Sequence, residues 1–128
     1  KGYMKTILLS ILILFSINGF AFNWQKVTEH SMGDSYIDID NIKKRNGLVY
    51  YWTLDDYLEP PDVRFNSIIS KFKVNCVEEK QTWLNGTYYS QSMGRRKIIV
   101  EDNSDETQYP KPNSVGYIVM KSVCNYVK

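Results

Sequence analysis

The stretch SKFKVNC, Ser70–Cys76, sorts its side chains by alternation. Phe72, Val74 and Cys76 fall on one side, with Ile68 upstream, while Lys71, Lys73 and Asn75 fall on the other. Successive residues of a strand point to opposite faces, so the pattern predicts a half-buried β-strand whose last core-facing residue is a thiol. One other cysteine exists, Cys124, in the C-terminal segment MKSVCNYVK. What the pair does depends on the compartment.

The compartment is read from MKTILLSILILFSINGFAFN, which begins at Met4. Lys5 supplies a charged start, Ile7 to Ile17 an apolar run, and Gly19 and Ala21 small residues at the −3 and −1 positions of a cleavage site. That layout predicts a secretory signal peptide over 4–21, cut between Ala21 and Phe22. The apolar run falls short of the roughly 18 to 20 residues a spanning helix needs. Residues 1–3 read as an upstream extension of the frame. In an oxidising space an even pair of cysteines predicts one disulfide, Cys76–Cys124. There is no C-x-x-C spacing to indicate redox chemistry, and two thiols with one histidine make a poor metal site.

Cleavage removes Lys1 and Lys5 and leaves 22–128, where basic residues match the 14 acids. A neutral domain of that length is one domain with a real core, and it lacks the basic footprint that nucleic-acid binding requires. Ten tyrosines favour sheet over helix. Ile37 and Ile39 of SYIDID share one face, and Asn46-Gly47 signals a tight hairpin turn. In LVYYWTLDDYL, Leu48, Tyr50, Trp52 and Leu54 share one side, opposite Val49, Tyr51, Thr53 and Asp55; Pro60-Pro61 then stops the strand. QTWLNGTYYSQSMGRRKIIV predicts two strands, roughly Thr82–Gln91 and Lys97–Val100, joined near Met93-Gly94, and EDNSDETQYPKPN a polar loop. After Pro112 the period changes. Asn113 or Ser114 caps a helix whose apolar arc is Val115, Ile118, Val119, Val123 and Tyr126, with Cys124 on its flank. The class is α+β: an antiparallel sheet packed by one C-terminal helix and stapled by a disulfide.

NWQKV, SYIDIDNIKKRNGLVYYWTLDDY, SKFKVNC, YYSQSMG and YPKPNSVGYIVMKSVC occur in that order over nearly all of 22–128. In this order the chain resembles the surface-adhesin protein E family of Gram-negative bacteria. The resemblance implies a six-stranded antiparallel sheet, a C-terminal helix on it and a disulfide joining them. It also implies a homodimer and binding of host proteins such as vitronectin, laminin and plasminogen, hence cell adhesion and virulence. The family's best-known member is lipid-anchored. Here Ala21-Phe22 stands in place of a lipobox cysteine, which points to a periplasmic or secreted form.

Few residues suggest chemistry. His30 is the sole histidine; with both thiols in a disulfide its nucleophile would have to be a serine, and it reads as a loop residue. Asp34, Asp38, Asp40, Asp55 and Asp56 lack the turn glycine of a calcium loop and read as solvated strand faces. Asn85-Gly86-Thr87, a sequon by pattern, reads as a turn. The reading is therefore non-enzymatic, with no cofactor and no metal. Arg95, Arg96 and Lys97 at the hairpin, with Trp83, Tyr88 and Tyr89, are the candidate partner contacts, and about half of the strand aromatics are expected in the core. Two functions fit: a binding module for host or envelope proteins, and a periplasmic accessory protein of the same fold with no host ligand.

Overall fold

The computed structural model describes residues 21–58 and 64–128. The expected signal segment before Ala21 and the Pro60-Pro61 stop lie outside the described residues. Within them the chain forms strands β1 (Trp24–His30), β2 (Gly33–Asp38), β3 (Lys43–Arg45), β4 (Leu48–Tyr57), β5 (Ser67–Asn75), β6 (Lys80–Gln91) and β7 (Arg95–Gln108), then helix α1 (Val115–Tyr126). The sheet runs β1-β2-β4-β5-β6-β7, with β3 a short extra partner of β4, and every pairing is antiparallel. Asn46 and Gly47 join β3 to β4 at φ 52° and 78°, the left-handed pair a two-residue hairpin demands.

Alternation along β4 divides the two faces as its sequence implies. Val49 and Tyr51 point to the helix side, where they join Ile37 and Val74 in one buried cluster with Val119, Met120, Val123 and Cys124 of α1. Tyr51 is 1% exposed and donates its hydroxyl to Gln81 Oε1 at 2.8 Å, so its one polar atom is satisfied inside the core. Ser114 caps α1 by accepting from the Tyr117 amide at 3.2 Å. The Cys76–Cys124 disulfide, with Cα atoms 5.8 Å apart, ties the chain just past β5 to the helix.

The helix is rotated from the expected arc. Its buried stripe is Val119, Met120, Val123 and Cys124, while Ile118 is 38% and Tyr126 56% exposed. The cross-link draws Cys124 down onto the sheet, and Met120, one turn earlier, follows it inward.

Three local expectations are also corrected. The polar segment after Val100 is not a loop, since β7 continues to Gln108. An edge strand needs ladder partners more than an apolar face. Here Asn103 pairs with Asn85, accepting from its Nδ2 at 2.9 Å, and the Thr82 and Thr107 hydroxyls meet at 3.2 Å. Asn85-Gly86-Thr87 lies inside β6 and is not a turn; Gly86 is there because a Cβ would sit 2.3 Å from Cζ2 of Trp83, whose ring lies on the strand. Asp38 is not solvated. It is fully buried and accepts from the Asn23 amide at 3.1 Å, the Asp40 amide at 3.2 Å and Asn41 Nδ2 at 2.6 Å, fixing the turn that follows β2.

Candidate functional site

The β6–β7 hairpin is built from Tyr88, Tyr89 and the cations that follow. Its connection is a short 3-10 turn, Ser92–Gly94, folded back onto the sheet face opposite the helix. Asp56 of β4 holds it, accepting from Ser92 Oγ at 2.7 Å and from the Met93 amide at 2.8 Å, while the Gly94 amide donates to Ser67 Oγ at 2.9 Å. Gly94 has φ +65°, a left-handed backbone that favours glycine, and a Cβ there would press on Ile69 Cδ1 at 2.7 Å, so glycine lets the turn lie close to the sheet without displacing Ile69. Ile69 is buried against it, a contact that the Ile68 alternation does not predict. Arg95, Arg96 and Lys97 leave this anchored base exposed; Arg95 Nε donates to the Ser92 carbonyl at 3.1 Å.

The aromatic candidates do not gather in one place. Tyr88 packs edge-on against Phe65 at 5.0 Å, and Phe65 meets Tyr57 at 6.2 Å, in a half-buried group whose Tyr88 shares a cross-strand row with Ile68 and Asp55. Burial pushes the Tyr57 hydroxyl up to about 12. Tyr89, on the other face, lies beside Gly94 and belongs to the hairpin base. Trp83 pairs with Glu106 toward the far end of β6. The geometry therefore groups Tyr89 with the three cations and leaves Trp83 apart.

His30 ends β1 and is not on a loop. Its Nε2 lies 3.4 Å from Ser35 Oγ, and Ser35 donates to Asp55 Oδ1 at 2.6 Å. In a catalytic triad the histidine stands between serine and acid. Here the serine stands in the middle and its proton is directed at the carboxylate, which does not prepare it as a nucleophile. Burial raises the Asp55 pKa, opposed by the Ser35 hydrogen bond and the His30 charge. A small cavity of about 130 Å³ opens beside Asp55, Tyr51 and the first turn of α1. Among the described residues, no three acidic, histidine or cysteine side chains are placed to hold a metal ion, and no helix is long and apolar enough to cross a membrane.

One grouping escaped the sequence reading. Lys43 and Arg45 of β3, Tyr50 and Trp52 of β4 and Lys71 of β5 line a single groove on the face away from the helix. The signal was present in the alternation of β4 and β5, which sets Tyr50, Trp52, Lys71 and Lys73 on one side, but only the pairing of β3 brings the further cations there.

The family described as surface-adhesin protein E matches residues 24–125. Two solved structures of Haemophilus influenzae protein E share the fold. A crystal form II structure has a TM-score of 0.63 at 19% identity, covering 80% of this chain and 90% of that one. A second has 0.61 at 18% identity, covering 84% and 92%. No curated protein sequence matches the chain. With that family match running from the first strand to the end of the helix, the chain belongs to the surface-adhesin protein E family.

Proposed function

We propose that this adhesin-like surface protein is exported and acts without catalysis, as a module that binds host matrix or serum proteins such as vitronectin, laminin or plasminogen. The contact we assign is the hairpin base: Arg95, Arg96 and Lys97, backed by Tyr89. Family membership over 24–125 carries the reading. Three adjacent exposed cations at the start of β7, directly after a turn held by Asp56 and Ser67, support this location. A rigid base lowers the ordering cost of binding, and exposed charges of one sign speed encounter with an acidic surface.

The test is surface plasmon resonance against immobilised vitronectin and laminin at two salt concentrations. Changing Arg95, Arg96 and Lys97 together to Ser slows association severalfold and flattens its salt dependence, because charge steering fades beyond about 8 Å at physiological salt. Folding is nearly unaffected, since exposed substitutions stay within about 0.5 kcal/mol each. Wild-type protein that binds neither partner overturns the reading in favour of a periplasmic accessory protein. Binding that survives the triple change at the same rate removes the hairpin from the site.

A further inference from the structure

The face away from the helix carries a cluster of cations, Lys43, Arg45 and Lys71, that make no ion pair among the described residues. Strand pairing places Lys43, Tyr50 and Lys73 in one row across β3, β4 and β5, and sets Lys71 directly opposite Trp52. Lys71 Nζ lies 5.3 Å from the centre of the Trp52 ring, and the Arg45 guanidinium carbon 5.3 Å from the centre of the Tyr50 ring. Phe22 meets Trp52 edge-on at 6.0 Å and stacks on Trp24 at 4.6 Å, so the tryptophan is itself buttressed. The two acids of the neighbouring turn are engaged elsewhere: Asp38 accepts from Asn41 and two backbone amides, and Asp40 accepts from Asn23 Nδ2 at 3.1 Å.

A ring face holds a cation differently from a carboxylate. It fixes the position while leaving the full charge available to a third group. Lys71 and Arg45 are therefore oriented in advance yet electrostatically unsatisfied, and Lys43 and Asn41 complete a groove of about 210 Å³. The balance of the chain sharpens the point. Over 22–128 acids equal bases, and the groove itself is lined by Lys43, Arg45 and Lys71 with no acidic side chain, so its charge is a local excess and not part of a general basic field.

From this geometry we infer that the groove binds an anionic saccharide bearing sulfate or phosphate esters. Every lining residue presents a polar atom, and no aliphatic pocket is present in it to seat the apolar anchor that a protein partner uses. The rings are engaged with Lys71, Arg45 and Phe22, which disfavours the open base stacking that single-stranded nucleic acids need. Ester oxyanions fit the Arg45 fork and the two lysines, and sugar hydroxyls fit Asn41 and the Tyr50 hydroxyl. The site is distinct from the β6–β7 hairpin, and its test is independent of that reading.

The test is biolayer interferometry of the protein against a biotinylated heparin-type sulfated oligosaccharide, its unsulfated counterpart, a phosphorylated oligosaccharide and single-stranded oligothymidylate. The esterified sugars bind and the unsulfated one is at least about tenfold weaker, with affinity falling as salt rises. Arg45→Ser with Lys71→Ser lowers affinity about tenfold or more. Tyr50→Leu lowers it severalfold without altering charge, and Tyr50→Phe, which keeps the ring under Arg45 but lacks the hydroxyl, recovers only part of the loss. Arg45→Lys, at an exposed position that leaves the core untouched, also weakens binding, because the planar fork over Tyr50 is lost. Lys44→Ser, compared with Arg45→Ser alone, is the control: one positive charge removed from the same strand, but on the helix side opposite Val49. Equal loss in Lys44→Ser, oligothymidylate binding as tight as the sulfated sugar, or full binding by both Arg45→Lys and Tyr50→Leu would each overturn the inference.

Discussion

Cutting the disulfide is the perturbation whose cost follows most directly from the fold. Cys76 and Cys124 are separated by 48 residues, and in the chain-entropy account closing a loop of that size in the unfolded state stabilises the folded one by about 4 kcal/mol. The native side adds to this. Cys124 is 7% exposed beside Val123 and Met120, both 0% exposed, so a serine hydroxyl there would be desolvated among apolar neighbours. Cys124→Ser is expected to lower unfolding free energy by about 2 to 5 kcal/mol, the range for native disulfides in small exported domains. At about 4 °C per kcal/mol for a domain of this size, Tm falls by roughly 8 to 20 °C. Urea titrations of oxidised wild type, reduced wild type and the variant separate the two contributions. Reduction alone gives the cross-link term, with a larger m-value as the denatured state expands, and the variant adds the packing term. The oxidised protein also weighs two hydrogens less than the dithiol. Coincident unfolding curves for oxidised and reduced wild type would refute the argument that the staple holds α1 on the sheet.

Two further outcomes follow from the polar contacts. The raised folded-state pKa of Asp55 means that the native protein keeps this proton to higher pH than the unfolded chain; stability from this group is intact below the ordinary aspartate value of 3.8 and declines as pH rises through the folded-state value. Asp55→Asn therefore flattens the pH dependence of stability from about pH 4 upward, and an unchanged slope in urea titrations across that range would show that the carboxylate is not the group responsible. Asp56→Ala removes the acceptor for Ser92 Oγ and the Met93 amide, which is expected to cost about 1 to 3 kcal/mol and to speed amide exchange at Met93 and Gly94; exchange at wild-type rates would mean that the turn is held by Ser67 alone.

Much of this architecture is legible in residue order because strands report their faces. The alternation of β4, the Asn46-Gly47 hairpin and the serine cap of α1 are local signals, and each appears in the structure where its chemistry places it; the pairing of the two thiols is legible because the chain holds only two. What is not legible depends on partners distant in sequence. β7 reads as a loop because its stability comes from pairing with β6 and not from its own apolar pattern. Asp38 reads as solvated because its three donors converge only once the turn forms. The rotation of α1 follows from a cross-link to a residue on another element. The basic groove is hidden for the same reason, since Lys43 and Arg45 reach Tyr50 only through a three-residue strand.

Labelling of intact cells with a membrane-impermeant amine reagent, followed by peptide mass spectrometry, tests the account most directly. A surface-displayed module carries label on exposed Lys97 without permeabilisation, in the same proportion as after it. Label that reaches Lys97 only once the envelope is opened would contradict the surface-binding role and leave the fold in service of a periplasmic function.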